Sequence, residues 1–118
     1  LSRRQRQMCI RDRDQDELIL ENTTTLKVAR WWNRACDIIP CNGGKDIGIQ
    51  KILDYFNFNK EEAMAFGDGG NDISMLKYVG TGVAMGNAKD NVKAIADYIT
   101  DSVQEDGIVS ALKHFEIL

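Results

Sequence analysis

Residues 66–76 read FGDGGNDISML, and the types gathered there have chemical use. Asp68 and Asp72 are carboxylates, Asn71 is an amide, and Gly69 and Gly70 stand between them without side chains. Such a stretch suits a chain reversal, because D-G and G-G are turn signals. It equally suits a hard cation and a phosphate, since bare glycines admit positive φ and let a ligand approach the backbone. Magnesium takes one or two protein carboxylates and completes its shell with water and phosphate oxygens. Asp68 would ligate directly. Asp72, one turn further on, would act through a water or orient a ligand, and Asn71 would offer its amide to a phosphate or a neighbouring loop.

Lys45 is the second residue of chemical interest. The spacing of Ile49, Ile52, Leu53 and Phe56 predicts a helix whose first turn contains Lys45. A cation there opposes the helix dipole, which favours anions by about 0.3–1 kcal/mol. A phosphate held at that helix start would compensate; a solvated lysine beside Asp46 is the plain alternative.

The elements that must position these groups alternate between strand and helix. Residues 17–21 and 25–29 are short strand candidates, and Asp37–Ile39 lead through Pro40 into the loop CNGG. The apolar run 63–66 reads as a strand buried on both faces, followed by a helical segment carrying Ile73, Met75, Leu76 and Val79. Strands at 82–85 and 98–100 alternate with helices carrying Val92, Ile95 and Ala96, then Ile108, Ala111, Leu112 and Phe115. This order predicts an α/β fold with a parallel sheet, in which ligands bind beyond the carboxyl ends of the strands. Asp68 falls at such an end. The apolar stripe of the Lys45 helix is expected to face the sheet.

Composition sets the outer limits. The 118 residues are 43% hydrophobic with one proline, enough for one modest domain with a single core. No apolar run approaches the about 20 residues of a membrane span and no signal peptide is legible, so a cytoplasmic protein without a membrane partner is expected. Cys9, Cys36 and Cys41 form no disulfide framework. With His114 the last two could be imagined as a zinc site, but the C-x-x-C spacing is missing. Residues 1–13 hold five arginines and one aspartate, leaving 10 Lys+Arg against 17 Asp+Glu in the other 105 residues, a net of −7. An acidic body gives no nucleic-acid footprint. Met8-Cys9-Ile10-Arg11-Asp12-Arg13 resembles the translation of a transposon-end adapter used in sequencing libraries. Residues 1–13 are therefore read as a non-native or disordered arm outside the fold.

Lys45, FGDGGNDISML and GVAMGNAKDNVKAIADYITDSVQEDGIVSAL together resemble the C-terminal core of a haloacid dehalogenase superfamily phosphatase of the Cof type, from about Trp31 to Phe115. The resemblance implies the C-terminal part of a Rossmann-like core with a remnant of an α+β cap. Residues 14–41, including Trp31 and Trp32, would end the cap and return to the core, and 42–118 would be the C-terminal half of that core. It implies magnesium-dependent hydrolysis of phosphate monoesters through an aspartyl-phosphate, with small phosphorylated metabolites, sugar phosphates foremost, as substrates. On matching positions, Lys45 would steady the phosphoryl group, Asp68 and Asp72 would serve the metal, and Asn71 would touch substrate phosphate. Asn87, in the GNA turn, is a substrate-contact candidate or else a left-handed turn or helix cap. The family's D-x-D nucleophile motif has no counterpart, since Asp12-Arg13-Asp14 lacks a preceding apolar strand. The chain alone is thus expected to be inactive. Two alternatives stand beside the phosphatase: a phosphorylation-domain fragment of a P-type cation pump, which shares G-D-G-x-N-D, and a noncatalytic binding module. Oligomeric state is left open.

Overall fold

In the computed structural model, which describes residues 6–8, 21, 24–32 and 35–118, two three-stranded sheets meet at the glycine loop. The first sheet is antiparallel, in the order β1–β3–β2, with β1 at Arg6–Met8, β2 at Leu26–Trp32 and β3 at Ala35–Pro40. Lys27 pairs with Ile39 and Ala29 with Asp37, so these four residues share one face. Arg6–Met8, inside the arm read as lying outside the fold, pair along the other side of β3. Main-chain groups on a strand edge recruit any extended segment within reach, whatever its side chains. Of the strand expected at 17–21, Glu21 is described and is helical; the rest, the Asp12-Arg13-Asp14 triplet and the Trp31 and Trp32 side chains lie outside the described residues.

The second sheet is parallel, in the order β4–β5–β6, with β4 at Met64–Gly67, β5 at Thr81–Ala84 and β6 at Tyr98–Ile99. Phe66 pairs with Val83, and Val83 with Tyr98. Helices alternate with these strands: α1 (Lys45–Phe56) leads into β4, α2 (Ile73–Tyr78) joins β4 to β5, α3 (Asp90–Lys93) joins β5 to β6 and ends before the Ile95 and Ala96 expected on it, and α4 (Gly107–His114) follows β6. The core gathers Ala65 of β4, Leu76 of α2, Val79, Ala84 of β5, Ala88 and Val92 of α3, all buried. All but Ala88, which follows the GNA turn's asparagine, come from an apolar stripe or buried strand that the sequence marks.

The apolar stripe of α1 departs from expectation. Ile49 packs on the core, but Ile52 is 59% exposed and Phe56 61% exposed, so the described residues cover one end of the stripe and not the other. Helical periodicity fixes which residues share a face, not how much sheet lies beneath them. No helix among the described residues is long and apolar enough to cross a membrane.

Close packing makes two glycines diagnostic. Gly82 of β5 has no room for a side chain, because a Cβ there would stand 2.4 Å from the Leu76 carbonyl oxygen; Gly48 in α1 meets nothing within 4 Å. We expect Gly82→Ala to destabilise the chain by about 1–3 kcal/mol and Gly48→Ala to stabilise it by about 0.5–1 kcal/mol. Urea midpoints measured at constant slope would check both, and a neutral Gly82→Ala would contradict the packing described.

Candidate active site

The glycine loop is shaped by what its glycines leave out. A Cβ on Gly67 would lie 2.6 Å from Cβ of Asp72, so the bare strand end is what lets the Asp72 side chain fold back beside β4. Residues 70–72 form a single tight helical turn, closed by Asp72 N–H donating to the Gly69 carbonyl at 3.0 Å. Asp72 is 5% exposed and immediately precedes α2. Its Oδ2 accepts from the Asp68 N–H at 3.0 Å and the Gly69 N–H at 3.1 Å. Its Oδ1 is hydrogen-bonded and ion-paired with Lys45 Nζ.

That pair answers the question Lys45 raises. The anion compensating a cation in the first turn of α1 is the Asp72 carboxylate, delivered from the end of the next strand. It is not Asp46, whose Oδ1 accepts instead from Ser74 Oγ at 3.3 Å. Gly44, with φ +131°, turns the chain into α1 in a backbone conformation suited to glycine and sets the position of Lys45. Burial pushes the Asp72 carboxyl pKa upward, but the Lys45 hydrogen bond, the Gly69 and Asp68 amides and the Lys45 charge outweigh it. Asp72 is therefore held below the usual aspartate value, as a carboxylate.

Asp68 follows β4 directly and is exposed. Its N–H serves Asp72 and its carbonyl accepts from the Lys89 N–H at 3.4 Å, while its carboxylate has no partner among the described residues. Asn71 is half-buried and, with Lys45, lines a cavity of about 560 Å³ between the glycine loop and the antiparallel sheet. Asp68 and Asp72 stand outside that lining. Asn87 is elsewhere: its Oδ1 accepts from the Val103 N–H at 3.0 Å, tying the GNA turn to the segment before α4. The imagined zinc ligands are apart in kind as well as place. Cys36 is buried, Cys41 is exposed with its thiol toward the Thr24 carbonyl, and His114 stacks on Tyr98 with ring centroids 4.2 Å apart.

No three Asp, Glu, His or Cys side chains gather as a metal cage among the described residues. Magnesium does not require one, because it commonly keeps its waters and takes one or two carboxylates. The donor chemistry fits that ion: Asp68 offers a carboxylate that no described residue engages, and Asp72, with both oxygens occupied, fixes the loop behind it. Sequence reasoning missed the far wall of the cavity, where Lys27, Ala29, Asp37 and Ile39 of the antiparallel sheet face Lys45 and Asn71. The signal was present, since Lys27 and Asp37 are charged residues inside strands that are mostly apolar.

Comparison with known proteins shows the family of the chain. The profile of the haloacid dehalogenase-like hydrolases matches residues 9–112. The chain belongs to that family. It is 44% identical over 89 residues to the 5-amino-6-(5-phospho-D-ribitylamino)uracil phosphatase YitU of Bacillus subtilis, covering 73% of this chain and 33% of that protein. It is 43% identical over 77 residues to kanosamine-6-phosphate phosphatase of the same organism, covering 65% and 27%. Among solved structures, the subclass IIB sugar phosphatase BT4131 superposes with a TM-score of 0.84 at 45% identity, covering 89% of this chain and 40% of that one. The chain thus spans well under half the length of these relatives. In this haloacid dehalogenase-like core, the parallel sheet flanked by helices matches the core of the solved phosphatase. A cation-pump origin finds no support in these matches.

The Asp72 latch has a measurable signature. A folded-state pKa below the ordinary 3.8 means the unfolded chain binds this proton more readily. The latch's contribution is thus complete above that value and is lost as pH falls through the lower folded value. With metal chelated, Asp72→Asn should flatten this acid limb of the stability curve. Lys45→Met should cost about 1–3 kcal/mol near neutral pH, because it strands a buried carboxylate oxygen. Denaturant titrations across pH check both, and an unchanged acid limb in Asp72→Asn would contradict the assignment.

Proposed function

We propose that this chain is the metal- and phosphate-holding half of a magnesium-dependent phosphatase of the Cof type, acting on small phosphorylated metabolites, sugar phosphates foremost. The observation that carries this reading is the Lys45–Asp72 pair set at the end of a parallel strand, beside the open carboxylate of Asp68 and the amide of Asn71. Relatives that act on a phosphorylated ribityl compound, an amino-sugar phosphate and sugar phosphates support the substrate class. The antiparallel sheet is the end of an α+β cap, and residues 42–118 are the C-terminal half of the core.

In this reading each side chain has a separate task. Asp72 holds Lys45 at the mouth of the cavity, where the ammonium steadies a phosphoryl group and offsets charge that grows during its transfer. Asn71 donates its amide to a phosphate oxygen. Asp68, with Asp72 behind it, would hold a magnesium ion, which when bound supplies positive charge to the phosphate oxygens. Asn87 supports the site at a distance through its hold on Val103. The nucleophilic carboxylate that would form the aspartyl-phosphate is expected from sequence beyond these 118 residues. The protein is read as cytoplasmic.

Two measurements test the reading. The 118-residue chain should give no p-nitrophenyl phosphate hydrolysis with or without magnesium, and robust magnesium-dependent turnover would sink the division of labour. Calorimetric titration should show magnesium binding that Asp68→Asn weakens at least about tenfold, the loss expected for one charged oxygen ligand. Equal magnesium affinity in Asp68→Asn would remove Asp68 from its assigned role.

A further inference from the structure

The far wall of the cavity carries one anomaly. Asp37 Oδ1 is buried and has no hydrogen-bond partner among the described residues. A buried polar atom left unpaired costs about 1–3 kcal/mol, and more when it carries charge, so a fold retains one when something outside the fold supplies the missing partner. Asp37 lines the cavity that Lys45 and Asn71 line from the other side. Across the sheet ladder Asp37 has Ala29 on one side and Gln7 on the other, and the single methyl group of Ala29 offers the carboxylate no donor. Lys27, one register step along on the same face, also opens on the cavity.

We propose that Asp37 is a specificity residue that accepts a hydrogen bond from a hydroxyl of a phosphorylated polyol or sugar whose phosphate lies toward Lys45 and Asn71. The proposal rests on the phosphate site argued above and adds what the other end of the cavity selects. A volume of about 560 Å³ falls within the range of about 300–1,000 Å³ typical of small-molecule sites. Charge is divided between the walls in the sense such a ligand requires. Lys45 meets the dianionic end, and Asp37, an acceptor without donors of its own when ionised, meets the hydroxylated end. An alkyl phosphate of equal length would leave Asp37 Oδ1 buried and unpaired, so the carboxylate acts by rejection as well as attraction.

Calorimetric titration of the 118-residue chain in excess magnesium with sorbitol 6-phosphate, n-hexyl phosphate and inorganic phosphate tests this. The wild type should bind sorbitol 6-phosphate at least about tenfold more tightly than hexyl phosphate, the discrimination expected from one charged hydrogen bond. Asp37→Ala should bring that ratio close to one while leaving inorganic phosphate affinity unchanged. Ala29→Leu, which keeps the carboxylate but fills the cavity space beside it, should do the same, and it carries the test if Asp37→Ala does not fold. A ratio that survives both substitutions while inorganic phosphate still binds overturns the role of Asp37 and leaves the phosphate site standing. Failure of the wild type to bind inorganic phosphate overturns the phosphate site itself, and this inference with it.

Discussion

A carboxylate as deeply buried as that of Asp72 is tolerable only when both of its oxygens are answered, and the described fold is organised to answer them. Two main-chain amides from the glycine loop satisfy one oxygen and the ammonium of Lys45 the other. These partners come from different places: the loop after β4 supplies the amides and the start of α1 supplies the cation. The pair therefore does more than stabilise. It fixes the start of α1 against the end of β4, which is the relation that puts Lys45 on the wall of the cavity and leaves Asp68 facing outward.

Placing Asp72 in this latch also separates two roles that neighbouring carboxylates could otherwise confuse. A carboxylate already saturated by donors is a poor direct ligand but a firm anchor, whereas one at a strand end with no partner is free to bind. Asp72 and Asp68 are four residues apart and differ in this way because a tight turn buries one and exposes the other. The bare end of β4 at Gly67 is the condition for that difference, since any side chain there would occupy the space of Asp72 Cβ.

Much of this was legible before any coordinates. Strand and helix periodicity placed β4, β5, β6 and α2 to within a residue or two, because these elements bury regular apolar patterns, whereas the helix expected to carry Ile95 and Ala96 ends at Lys93. The glycine loop was readable as a candidate site because two carboxylates and an amide converge on it beside bare glycines. Less accessible was the partner of Lys45: local sequence offered Asp46 or a ligand, while the structure supplies Asp72 from 27 positions away. Long-range pairing of this kind leaves no mark on periodicity. The wall bearing Lys27 and Asp37 was hidden for a related reason. Two short strands reveal their shared face only once their register is known, and register shifts of one residue would turn both charges away from the cavity.

Gly70 gives the cavity a property that side chains cannot. Its Cα approaches the main chain of β2 so closely that a Cβ would stand 2.9 Å from the Arg30 carbonyl oxygen. The loop and the antiparallel sheet are therefore in backbone contact at this point, and the gap between the walls is gauged from main chain to main chain. Substitutions along either wall can reshape the cavity, yet the distance between the walls is set like the opening of a caliper whose pivot is a residue with nothing to trim.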